Sequence, residues 1–128
     1  MRKFLNGGKS MVGKLDTDRG SIIIPAEVIA NMAGIATTQC YGVVGMASRN
    51  KADGLVNLLK KEALNKGIKV VFDENYLVID LHIIVEYGVN ISAICENIVS
   101  NVKYSIESIT GFKVKKINVY VESIRVEE

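Results

Sequence analysis

Residues Tyr76 to Gly88 read YLVIDLHIIVEYG, and residues Val89 to Phe112 read VNISAICENIVSNVKYSIESITGF. The first run alternates with a period of two. Leu77, Ile79, Leu81, Ile83, Val85 and Tyr87 share one wholly apolar face, and Val78, Asp80, His82, Ile84 and Glu86 share a mixed one. That pattern predicts a strand buried on one side and wetter on the other. Its β-branched residues suit a pleated surface, and Gly88 ends it.

The second run has the period of a helix. Asn90 or Ser92 can cap its first turn by accepting from an orphan N–H. Ile91, Cys95, Ile98, Val102, Ile106 and Ile109 recur at steps of three and four and predict the buried stripe. Gly111 stands where a left-handed residue closes a helix, with Phe112 beside it for the accompanying apolar contact. Laying this stripe on the strand's apolar face gives one layer of helix on one layer of sheet, the minimum for a core.

A chain of 128 residues fits one domain that buries its core without a disulfide or metal. The net charge of +2 does not argue for nucleic acid or acidic lipid. The mean hydropathy of +0.22 is high for a chain with no 18-residue apolar run, so spare apolar surface is expected to be covered by another subunit or partner. Cys40 and Cys95 fit no zinc spacing and no disulfide framework. The opening MRKFLNGGKSMVGK lacks the apolar run of a signal peptide, and a cytoplasmic location is the default expectation.

Outward from the central pair, residues 1–18 show little periodicity and are expected to form a flexible tail, with residues 19–128 as the single domain. Gly20 to Ile24 predicts a short strand. Pro25 suits the first turn of a helix running to about Ala36, with Val28, Ile29, Met32, Ala33 and Ala36 inward. Gly42-Val43-Val44-Gly45 has the spacing of the loop by which KH domains clamp RNA. Its middle pair is apolar where a phosphate-binding loop is polar or basic, so it reads as the start of a strand. Ser48 to Gly54 is a polar loop whose Arg49, Lys51 and Asp53 are candidate interaction residues. Leu55 to Asn65 predicts a short extra helix. Ile68 to Phe72 and the long strand make a hairpin around Asp73-Glu74-Asn75, and Lys113 to Val126 is the closing strand. The fold class is α+β: a single mixed or antiparallel sheet, two main helices on one face, and the short extra helix.

Catalytic motifs are absent from the string. It has no phosphate-binding glycine loop, no nucleophile elbow and one histidine. Asp80, His82 and Glu86 share a strand face, but a metal wants three or more converging ligands and Glu86 stands two steps beyond His82, so a half-wet sheet face is the expected reading. Lys60, Lys61, Lys66, Lys69, Lys113, Lys115 and Lys116 cluster without interleaved aromatic residues, which leaves weak nucleic-acid binding as a minor alternative. No cofactor is expected.

The segments GSIIIPAEVIANMAGIA, YGVVGM, VIDLHIIVEYGVNI, TGF and KVKKINVYVESI together resemble the alkaline-shock-protein family of Gram-positive bacteria. The resemblance spans about residues 19–124, and its most telling pieces are Gly20, Ile24-Pro25, Gly42-Val43, Glu86-Tyr87-Gly88 and Thr110-Gly111. It implies an abundant cytoplasmic, non-enzymatic protein tied to cell-envelope stress. Such proteins self-associate and are held near the membrane by a membrane-anchored partner. SRNKADG followed by LVNLL resembles a small housekeeping branch encoded beside a dihydroxyacetone-kinase-like subunit of fatty-acid kinase, which implies regulation of that kinase as the alternative. No catalytic or binding residue carries over. Val78 and Ile84 on the mixed strand face, or the first helix, are the expected interaction surfaces.

Overall fold

A computed structural model describes residues 2–6, 10–47, 67–74 and 76–126. In chain order the elements are β1 (Arg2–Asn6), β2 (Ser10–Thr17), β3 (Gly20–Pro25), α1 (Ala26–Thr38), β4 (Val43–Met46), β5 (Ile68–Asp73), β6 (Tyr76–Glu86), α2 (Ile91–Thr110) and β7 (Lys113–Arg125). The class is α+β. The short helix expected at Leu55 to Asn65 lies outside the described residues.

β6 is the centre of the larger sheet. β5 runs antiparallel beside its first half, from Asp73 opposite Tyr76 to Ile68 opposite Leu81. β4 runs antiparallel beside its second half, from Met46 opposite Ile83 to Val43 opposite Val85. The two short strands thus share one edge of β6 end to end. At their junction the Ala47 N–H donates to the His82 carbonyl and the His82 N–H donates to the Gly67 carbonyl, both at 2.8 Å. A Cβ on Gly67 would overlap the Ala47 carbonyl oxygen, so the junction requires glycine. Along the other edge β7 runs parallel, with Ile79 opposite Ile117, Leu81 opposite Val119 and Ile83 opposite Val121. A parallel neighbour needs a crossover, and α2 is that crossover.

The alternation read from the sequence holds along β6. Leu77, Ile79, Leu81, Ile83 and Val85 are fully buried, while Val78, Asp80, His82 and Ile84 are half-buried. Each buried aliphatic side chain contributes about 1.5–3 kcal/mol of transfer free energy. Both helices pack on this inner face, α1 over β4 and β5, and α2 over β7. Tyr87, expected on the apolar face, lies past the strand end and is exposed.

The caps of α2 are as its ends predict. The Asn90 side chain accepts from the Ala93 N–H at 3.0 Å. Gly111 adopts φ +83° and donates to the Glu107 carbonyl. The buried stripe, however, is Ile94, Ile98, Val102, Ile106 and Thr110, rotated from the one expected. Ile91 and Ile109 are exposed, and Cys95 is only half-buried. Thr110 tolerates burial because its hydroxyl donates to the Ile106 carbonyl at 2.6 Å and accepts from the Phe112 N–H at 3.1 Å. In α1, Val28 is exposed rather than inward, and Ala30, Gly34 and Thr37 are buried instead. Small residues there let α1 and α2 approach closely.

Two expectations are corrected. The strands form two sheets rather than one, because β1, β2 and β3 make a separate antiparallel meander. Residues 2–6 and 10–17, expected to be a tail, are strands of that meander. Val12 stands opposite Pro25 and Thr17 opposite Gly20, with Asp18 and Arg19 as the two-residue connection. The hairpin pairing is local, but its packing is long-range: buried Gly13 leaves room for the rings of Phe72 and Phe112.

Candidate functional site

The outer face of the larger sheet collects the polar groups singled out in the sequence. Because paired residues of neighbouring strands share a face, Val78, Asp80 and His82 stand beside Lys116, Asn118 and Tyr120 of β7. Asp80 accepts from the Asn118 side-chain amide at 2.8 Å. The His82 ring stacks on Tyr120 with centroids 4.6 Å apart, and its Nδ1 lies 2.6 Å from a Glu122 carboxylate oxygen. An imidazole N–H donating to that carboxylate fixes the ring. Asp80 and His82 are therefore each tied to β7 rather than converging on an ion, and Glu86 stands opposite Arg125. Among the described residues no three His, Cys, Asp or Glu side chains are placed to hold a metal.

Val78 and Ile84 both lie on this face, half-buried, about 20 Å apart along the strand with Asp80 and His82 between them. They do not form one patch. Val78 groups with Val71 of β5 opposite it, and Tyr76 and Tyr120 add exposed apolar surface on the same face. Arg49, Lys51 and Asp53 lie outside the described residues.

Two features at β7 were not anticipated. The first is a groove of about 590 Å³ between α2 and β7, lined by Cys95, Glu96, Val99, Ser100, Ile117 and Val119. It exists because α2 is rotated, which turns Cys95 toward the strand beside Val99 instead of into the core. Partial burial pushes the Cys95 thiol above its ordinary pKa. The second is the outer edge of β7: among the described residues no strand pairs with it. Glu107 of α2 reaches over to accept from the Val114 N–H at 2.9 Å, which satisfies one donor at the start of the strand. The only sequence signal for either feature is the run Ile117 to Val121, too apolar for a solvated edge. None of the described helices is long and apolar enough to cross a membrane.

Comparison with known proteins gives the same chain a family. It is 43% identical over 114 residues to YloU, an uncharacterized protein of Bacillus subtilis strain 168, covering 88% of this chain and 95% of that protein. It is 26% identical over 110 residues to a stress response regulator gls24 homolog of Streptococcus pyogenes, covering 86% of this chain and 62% of that protein. Among solved structures, a variant of the MamM CTD superposes with a TM-score of 0.51 over 77% of this chain and 96% of that one; at 17% identity this likeness is one of fold alone. A family model described as "ASP23 family, cell envelope-related function" matches residues 14–126, and the chain belongs to that family of Gram-positive, alkaline-shock-type proteins.

Proposed function

We propose that this chain is a non-enzymatic cytoplasmic interaction protein that self-associates and docks on a membrane-associated partner in cell-envelope homeostasis. The observation that carries this reading is the surface of the larger sheet. Its two described helices occupy the inner face, while the outer face presents Val71, Val78 and Ile84 half-buried and Tyr76 and Tyr120 exposed. That face carries apolar groups at both ends, Val71 with Val78 and Tyr76 at one and Ile84 at the other, and exposed apolar surface of this kind marks interaction sites. The family's cell-envelope description and the stress-response name of one relative support the setting.

The test is to measure the native mass of the purified chain and to recover its partners from host lysate, with and without nuclease, for wild type and Ile84→Asp. The expected result is a nuclease-resistant membrane-associated partner and an oligomer, one or both reduced by Ile84→Asp. Partners lost on nuclease treatment would refute the reading and assign the lysines of β5 and β7 to nucleic acid. Unchanged mass and recovery in Ile84→Asp would remove the outer face from it.

A further inference from the structure

We infer that the open edge of β7 is the contact between two copies of this chain, paired antiparallel about Val119 so that the two larger sheets become one. The inference rests on the self-association reading above and places self-association on the β7 edge, leaving the outer face to the partner.

An unpaired edge is a template for another strand, and folded proteins usually blunt it with charge, proline or a covering element. Among the described residues the protection stops early. Lys113, Lys115 and Lys116 guard the first four residues, and Glu107 occupies the Val114 N–H. The following run, Ile117-Asn118-Val119-Tyr120-Val121, has no charge and no proline. It lies between the two register shifts of the β6–β7 pair, so it is the regular part of the strand. It also forms the floor of the α2 groove through Ile117 and Val119.

A second copy fits this edge because the strand complements itself. Continuing a sheet across a two-fold axis puts residues of the same face opposite each other, so the axis passes through a residue pair. Centred on Val119, the register sets Ile117 against Val121 on the inner face and Asn118 against Tyr120 on the outer one. It sets Lys116 against Glu122 twice, once on each side of the axis, Glu122 being the extra residue at the second register shift, just past the regular run. Centred on Tyr120, it would set Lys115 against Arg125, and centred on Asn118, it would set Glu122 against Val114 and Lys116 against Tyr120. Opposite charges directly across a strand pair stabilise it, and like charges destabilise it. Glu122 uses one oxygen toward His82 and keeps the other. At the ends the favoured register sets Lys113 near Arg125, and Glu86, opposite Arg125 across β6, offsets that repulsion. The grooves of the two copies then meet at the seam, with Val99 of each α2 above the joined Ile117 and Val119 rows. A strand pair alone buries less than the roughly 1,200 Å² of a stable interface, and this apolar trough adds to it.

The test uses the full chain. In a Cys95→Ser background, Val119→Cys places two thiols on directly opposite residues, where Cα atoms are about 4.5–5.5 Å apart and a disulfide forms. Val121→Cys places its pair about 13 Å apart and serves as the control. The expected result is an oxidised dimer for Val119→Cys and none for Val121→Cys. Sedimentation should show wild type dimerising, Lys116→Glu and Glu122→Lys each weakening the dimer about tenfold, and the double exchange restoring it. A wild-type chain that stays monomeric overturns both this inference and self-association. A dimer indifferent to the charge reversals, with no Val119→Cys cross-link, overturns this inference and leaves self-association to another face. Preferential cross-linking of Val121→Cys overturns the register.

Discussion

Replacing Gly13 by alanine tests whether the first strands belong to the folded domain. A Cβ at that position falls 2.5 Å from the Phe72 ring edge and 2.9 Å from the tip of the Phe112 ring. Neither ring has room to swing aside, since Phe72 is 0% and Phe112 2% exposed, and the two rings already pack against each other with centroids 6.0 Å apart. Overpacking of this kind costs about 1–3 kcal/mol. Against it stands the gain from replacing glycine inside a strand, about 0.5–1 kcal/mol. The net expectation is a loss of up to about 2.5 kcal/mol, centred on about 1.3 kcal/mol, or a few degrees in Tm for a chain of this size. Urea unfolding and calorimetry of Gly13→Ala beside wild type measure it, with Gly45→Ala, where a Cβ meets open space, as the comparison. If β2 were a detached tail, the substitution would leave Tm unchanged. An unchanged or raised Tm in Gly13→Ala therefore refutes the packing of β2 on Phe72 and Phe112.

Other outcomes follow from the same structure. Leu81→Ala, at the fully buried centre of β6, is expected to cost about 2–5 kcal/mol by urea unfolding. Asn90→Ala removes the side-chain acceptor for the Ala93 N–H and is expected to cost about 1 kcal/mol; loss of helix stability at the first turn shows as faster amide exchange there. Cys95 has its thiol pKa raised by burial, so the folded chain holds the proton longer than the unfolded chain does. Its contribution to stability is whole below the ordinary thiol pKa and declines as pH rises through it, because the unfolded state ionises first. Melting wild type and Cys95→Ser between pH 8 and pH 10 should show the steeper alkaline decline in wild type, and thiol reagents should label native Cys95 more slowly than the unfolded chain.

The parts legible in the sequence are those decided by neighbours in the chain. The alternation from Leu77 to Val85 predicted the buried face of β6, and Asn90 and Gly111 marked the ends of α2 from their own side-chain chemistry. The rotation of α2 was not legible. Ile94 and Cys95 both open plausible stripes, and the choice turned on Thr110, whose hydroxyl finds partners within its own helix end and so can be buried while Ile109 is exposed. The strand at Ser10–Thr17 was not legible either, because what favours it is the fit of Gly13 to two rings far along the chain. The site divides in the same way. Asp80 and His82 could be placed on one face from their spacing, but their partners Asn118 and Glu122 depend on the parallel register of β7, which no local pattern encodes. The groove beside Val99 was hidden because the helix rotation that opens it was not legible.

The shared edge of β6 has a further consequence for how this scaffold can vary. The chain leaves the sheet at Ala47 and returns at Gly67, and both residues bond to the same residue, His82. The two ends of residues 48–66 are therefore pinned side by side by the sheet itself. Lengthening a closed loop costs little, about 0.6 kcal/mol per doubling. A change in the length of sequence between Ala47 and Gly67 is therefore expected to leave β4, β5 and β6 in register, since the described residues on either side set that register.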